Sequence, residues 1–313
     1  MTAKVFNPEA QKQIGAYWSQ RVLQPQRTWN WWTCRPVIQH LNRLVCGQEL
    51  PGVSQGLCQK AKQQVNRTLK LGISVGCGIG VKEMHLIQWG LVDRMICFEL
   101  SAERIAQANA EAKRRSLSDR IEFHQTDVFC RTDLNDRFDL VHWNNSLHHM
   151  PDTFAALRWS RSVLKPGGLL MMDDYVGPNY IQFSDQCLQF ANQIRAKMPR
   201  KYFIHPASSP ETPRFIASEC QRPNRAKIIA KDPSEAVDAE NILPAMRAIF
   251  PHAEILHTGG AIYFAALPPL YANFNLEDEG DRSYLQALLT IDQLYTEAHP
   301  EQTLYATALA FKN

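Results

Sequence analysis

Three glycines stand at alternate positions, Gly76, Gly78 and Gly80, where an apolar run (LGISVGCGIG) ends. Glycine lets a backbone turn sharply and approach a ligand with no Cβ in the way. About 20 residues further on, the run RMICFELS ends in Glu99. A carboxylate at that place can accept hydrogen bonds from both hydroxyls of a ribose. The next run closes in HQTDVF, which sets Asp127 where it can accept from an adenine amino group or cap a turn. Together these residues describe a nucleotide site. It is not a phosphate-cradling Walker loop, since no Gly-Lys-Ser/Thr follows. A dinucleotide fingerprint would need glycine at position 81, where Val81 stands.

A second group of residues can move a proton. His148 and His149 leave a later apolar run. Imidazole titrates near neutral pH, so either could take a proton from an acceptor, His148 first; otherwise the pair anchors the turn. Asp173 and Asp174 are adjacent, and alternate side chains of a strand point to opposite faces. They would not face one ion, so no metal is expected; Asp174 contacts substrate or caps the following turn. Tyr175, Tyr180 and Phe183 come next, and Tyr175 and Tyr180 are expected on the substrate side. Tyr17 and Trp18 could close over the cofactor, while Trp29, Trp31 and Trp32 join them or belong to the core. Glu235 could face substrate, or start a helix with Ser234 as its cap. None of the eight cysteines forms a C-x-x-C pair, so a zinc site is unsupported and a reducing cytoplasm is expected.

Elements must hold these residues in place. From Thr68, apolar strand-like runs alternate with helical stretches, the signature of a parallel sheet covered by helices. The predicted fold is α/β, a Rossmann-like, seven-stranded, mostly parallel sheet with helices on both faces and an antiparallel last strand. Residues 1–66 read as an N-terminal helical cap, with Gly47 as a helix terminator. Residues 67–176 form the cofactor-binding core. Residues 177–230, rich in proline, read as a helical and loop lid inserted over the active edge. Residues 231–313 complete the core. Hydrophobic residues make up 45% and charged residues 21%, with a net charge of +3. That balance gives no argument for nucleic acid or a membrane surface, and no apolar run reaches membrane-spanning length. The polar N-terminus lacks a signal-peptide core. The oligomeric state is open.

The pieces SVGCGIG, CFELS, QTDVF, FDLVHWNNSLHHMPD and LKPGGLLMMDDYV, in that order, resemble class I methyltransferases that use S-adenosylmethionine. They cover roughly residues 70 to 176. The resemblance implies that Gly76, Cys77, Gly78 and Gly80 line the methionine and ribose portion, that Glu99 holds the ribose and that Leu100 packs on adenine. It places Asp127 and Val128 at the adenine and Asn144 at the methionine part. Ser74 departs from the pattern, which carries an acid there. Glu83, on the first turn of the next helix, is expected to supply that charge to the cofactor's ammonium. The implied activity is methylation of a small-molecule acceptor, at oxygen in preference to nitrogen or carbon, leaving S-adenosyl-L-homocysteine. A nicotinamide-dependent oxidoreductase and a non-catalytic cofactor-binding protein are the alternatives.

Overall fold

The computed structural model describes residues 6–23, 30–131, 133–209 and 211–313; Trp29 lies outside them. The N-terminal part holds three helices, α1 (Pro8–Leu23), α2 (Arg35–Cys46) and α3 (Gln55–Val65). Gly47, at φ 76°, ends α2 and returns its N–H to the Arg43 carbonyl, as the sequence predicts. The alternating region follows as β1 (Leu69–Val75), α4 (Val81–Gln88), β2 (Val92–Glu99), α5 (Ala102–Arg114), β3 (Ile121–Gln125), β4 (Phe138–Asn144), α6 (Thr153–Val163) and β5 (Leu164–Tyr175). Then come α7 (Asp185–Lys197), α8 (Arg225–Lys231), α9 (Ile242–Ile249), β6 (Glu254–Gly259), a π-helical turn (Ala261–Ala266), α10 (Glu279–Ala298) and β7 (Tyr305–Phe311).

The seven strands form one sheet in the order β3-β2-β1-β4-β5-β7-β6. The first five are parallel; β7 runs antiparallel between β5 and β6. The order reverses between β1 and β4, so their C-terminal tips bound a crevice where an open α/β sheet receives ligands. Strand residues alternate between two cores. Val141, Trp143, Leu170 and Met172 pack with α6, α9 and α10. Leu140, Leu169, Met171, Met95 and Cys97 pack with α3 and α4. Both faces are therefore buried, which is why these strands read as unbroken apolar runs. Fully burying a side chain as large as Trp143 contributes roughly 3 kcal/mol, and its indole N–H is satisfied by Ser160 Oγ at 3.0 Å.

Two expected divisions change. The N-terminal residues are not one cap. Leu57, Cys58 and Ala61 of α3 are core, and α2 lies against α3, α10 and β6. Among the described residues of this part, Phe6, α1, the Trp31–Trp32 turn and Val53 reach the crevice. The stretch 177–230 is not a lid over the active edge either. Its helix α7 packs on the π-helical turn, and Ile181 is its one residue on the crevice wall among the described residues. The cause is apolar: Cys187 and Ala191 of α7 are buried in the same core as Leu285 and Leu289 of α10. Among the described residues no helix is long and apolar enough to cross a membrane.

Candidate functional site

A cavity of ≈1290 Å³ runs over the strand tips. Ordinary small-molecule sites span about 300–1,000 Å³. One end is built by the turn after β1. Gly76 adopts φ 67°, and a Cβ there would sit 2.9 Å from Ser146 Cβ. Gly78 faces the cavity, where a Cβ would meet only an Arg104 nitrogen at 3.6 Å. Cys77, Leu100 and Val128 also line this end. Gly80 does not. It sits at φ 69° under the Phe123 ring, which a Cβ would approach to 2.5 Å, so its role is to let α4 start against β3.

Glu99, at the tip of β2, is buried but lines the cavity. A carboxylate offers about four lone-pair sites. Three are taken by backbone N–H groups: Leu100 and Ser101 donate to Oε1 at 2.8 and 3.0 Å, and Gly78 donates to Oε2 at 3.0 Å. Oε2 also lies 3.5 Å from the Arg104 guanidinium, an ion pair longer than a charge-assisted hydrogen bond, so one acceptor site is left over. Asp127 both caps and receives: Phe129 N–H donates at 2.9 Å and Gln11 of α1 donates at 2.8 Å. Asn144 joins the wall, its amide donating to Ser54 Oγ at 2.9 Å.

Glu83 is not on the wall. It is buried beneath it, accepting from Ser74 Oγ at 2.8 Å and paired with His142 Nδ1 at 3.0 Å. Burial would raise its pKa, but the hydrogen bond and charge of His142, with Lys82, outweigh that and hold it low. The expected direct contact with a cofactor ammonium is thus replaced by a buried Ser74–Glu83–His142 network, with Oε2 left unpartnered. From α4 the wall receives Val81, His85 and Lys82, and the ammonium of Lys82 donates to the Asn144 carbonyl at 3.2 Å. Nothing local in the sequence marks Lys82, since a first-turn lysine ordinarily faces solvent. Arg104 was missed too; its signal is its place on the first turn of α5, just after Glu99.

The other end is polar and tightly tied. The backbone N–H groups of Ser146 and Leu147 donate to Asp174 Oδ2 at 2.9 and 2.8 Å, and His148 Nδ1 meets Asp174 Oδ1 at 2.5 Å. Asp174 is wholly buried and off the wall, so the substrate contact expected of it is corrected: it fixes the turn and one imidazole. Asp173 points away, accepting from Ser54 Oγ at 2.5 Å, as strand alternation requires. Burial pushes the His148 pKa down, but the charge and hydrogen bond of Asp174, with Glu235 and Asp232, overcome this and raise it. His149 is held low by burial and by His148. His149 Nδ1 meets Ser234 Oγ at 3.0 Å, and Ser234 donates to Asp232 Oδ1 at 2.5 Å. Residues 233–236 form a turn, so Glu235 starts no helix; it stands on the wall, 3.7 Å from His148 Nε2.

Aromatic groups line the same cavity. Trp31, Trp32, Phe129, Trp159, Phe264 and Tyr305 line it, with Tyr175. Trp18 lines it as well, edge-on to His149 at 5.6 Å and under the Arg104 guanidinium at 4.0 Å. Two expected wall residues are elsewhere. Tyr17 turns its hydroxyl to Arg21 at 3.0 Å. Tyr180 lies under Arg225 at 4.6 Å.

Residues 72–221 match a family model described as a methyltransferase domain. The 27-O-demethylrifamycin SV methyltransferase of Amycolatopsis mediterranei is 30% identical over 105 residues, 33% of this chain and 38% of that protein. Phosphoethanolamine N-methyltransferase 1 of Triticum aestivum is 30% identical over 127 residues, 39% of this chain and 25% of that one. The chain thus spans well under half the length of these curated relatives. In fold it is similar to the geranyl diphosphate C-methyltransferase of Streptomyces coelicolor A3(2), solved with S-adenosyl-L-homocysteine, at TM-score 0.54 and 14% identity over 98% of both chains.

Proposed function

We propose that this chain, which carries a class I S-adenosylmethionine-dependent methyltransferase domain over residues 72–221, methylates a hydroxyl of a bulky, mostly apolar small molecule. The observation that carries this reading is one cavity lined by nucleotide-type residues, by aromatic groups and by a tied histidine pair. Its ≈1290 Å³ leaves room for an acceptor beside a nucleoside-sized cofactor. When bound, S-adenosylmethionine supplies a methyl group already activated on a sulfonium.

The cofactor end fits that group: Gly78 leaves bare backbone toward the cavity, and Glu99 and Asp127 are acceptors suited to a ribose and an adenine amino group. Lys82 suits the amino-acid carboxylate. The chain's remaining task is alignment and exclusion of water. Trp31, Trp32, Phe129 and Trp159 hold the apolar body of the acceptor. His148 and His149, held by Asp174 and Ser234, receive its hydroxyl and promote loss of the proton. Oxygen is preferred over nitrogen or carbon because the polar end offers groups for a hydroxyl. The eight cysteines are unpaired, which suits a reducing compartment such as the cytoplasm.

Calorimetric titration with S-adenosyl-L-homocysteine and with reduced nicotinamide dinucleotide tests the cofactor; only the former is expected to bind. Label from methyl-tritiated S-adenosylmethionine should then pass to apolar alcohols or phenols as an ether. Label recovered on nitrogen or carbon would remove the preference for oxygen, and nicotinamide binding alone would remove the whole reading.

A further inference from the structure

The polar end of the cavity has the donor set of a metal centre. His148, His149 and Glu235 each offer a ligand atom, all within 4.8 Å of one another, and all three line the cavity. Each imidazole is held from behind through Nδ1, His148 by Asp174 at 2.5 Å and His149 by Ser234 at 3.0 Å, with Asp232 behind the serine at 2.5 Å. An Nδ1–H given to an acceptor fixes the tautomer that turns the Nε2 lone pair outward. Metal-bound histidines are oriented in this way.

Charge points the same way. Asp174, Asp232 and Glu235 surround the two rings. Among the described residues, the ion pairs these carboxylates make are with His148 and His149. Lys82 feels the field of Asp174 but gives its hydrogen bond to the Asn144 carbonyl. Asp232 Oδ2 is buried with no hydrogen-bond partner. Buried carboxylates are ordinarily balanced by a paired cation or a metal.

We propose that His148, His149 and Glu235 seat a divalent first-row transition cation, with its open positions toward the cavity. Two imidazoles and one carboxylate suit zinc, cobalt, iron or nickel; magnesium and calcium prefer oxygen donors throughout. The use of the ion rests on the reading above, in which the acceptor hydroxyl arrives at this end. A hydroxyl that coordinates the ion loses its proton to solvent more readily. Its oxygen then forms the bond to the methyl carbon as the methyl–sulfur bond breaks, and the sulfur keeps that electron pair. The imidazoles promote the proton's loss by holding the ion rather than by taking the proton themselves.

The test is direct. Chelator-treated full-length protein is titrated with Co²⁺, followed by its visible d–d absorption, and with Zn²⁺ by calorimetry. One equivalent is expected to bind. His149→Ala and Glu235→Gln should each weaken it at least tenfold, and Asp232→Asn by about 10–100-fold. Affinity for S-adenosyl-L-homocysteine, measured on the same samples, reports whether each variant is folded. The proposal is overturned by an absence of binding to the folded wild-type protein, by unchanged affinity in both ligand variants, or by a near-ultraviolet thiolate band assigning the ion to the cysteines. Label transfer that proceeds at full rate in chelator, by protein that binds no Co²⁺, removes the cation and leaves the methyl transfer. Co²⁺ binding without any label transfer keeps the site and removes the transferase reading.

Discussion

Glu99 and Glu83 are both buried acids near the cofactor end, yet their surroundings assign them different work. Glu99 gathers three backbone N–H groups and faces the cavity. Replacing it with glutamine turns one acceptor into a donor aimed at a backbone N–H. Glu99→Gln is expected to lower affinity for S-adenosyl-L-homocysteine at least tenfold by calorimetry. It should also cost about 1–3 kcal/mol in urea unfolding. Glu83 holds His142 and Ser74 one layer deeper. Removing one partner of a buried pair is worth about 3–5 kcal/mol, so Glu83→Ala should lose stability of that order. Its folded fraction should retain cofactor affinity within a few-fold. A large loss of affinity with little loss of stability would return Glu83 to the role first expected of it.

The elements divide into those whose periodicity declares them and those that depend on distant contacts. β1 to β5 and their helices were legible because strands buried on both faces leave long apolar runs punctuated by glycine and polar caps. That Gly76, Gly78, Glu99, Asp127 and the two histidines line one cavity was legible because they close such runs. What was not legible is where separate segments meet. Nothing local in DPSEAV says that Glu235 faces His148, or that Lys82 reaches back to β4. Nor does the helical pattern of residues 1–66 say that α3 belongs to a core while α1 covers a cavity. Asp292 of α10 belongs to the same class. Its carboxylate accepts from Gly260 and Ile262 N–H groups at the start of the π-helical turn, and burial pushes its pKa up to about 7. An acid raised in this way keeps its proton in the native state after the unfolded chain has lost it. Its contribution is therefore full below about pH 4 and is lost as pH rises toward 7, by up to roughly 4 kcal/mol. Thermal melts should show that slope in the wild type and a flatter curve across the same range in Asp292→Asn. Parallel curves would mean that Asp292 is ionised throughout.

Taken as a whole, the protein sets a firm sheet beneath a lightly held cover. α1 is tied down by Gln11 to Asp127, by Ser19 to Ser101 at 2.9 Å and by Trp18 under Arg104. Among the residues of α1 whose side chains are described, Ile14 is the buried hydrophobic one. Segments with few buried apolar contacts open at low free energy. Amide exchange should therefore be fast in Pro8–Leu23 and slow on addition of S-adenosyl-L-homocysteine, while β1 and β4 remain protected throughout. Exchange in α1 that ignores the cofactor would separate that helix from its binding. The opposite wall is of another kind. Trp31 and Tyr305 are nearly inaccessible and edge-on to each other at 5.4 Å, and both bound the cavity. Carving space there, as Trp31→Ala would, removes a piece of the foundation at a cost of about 3–5 kcal/mol. New acceptors are thus easier to acquire by varying the loosely packed rim at Trp32 than by hollowing the interior. A lineage or an engineer seeking broader selectivity would have to reinforce the scaffold first.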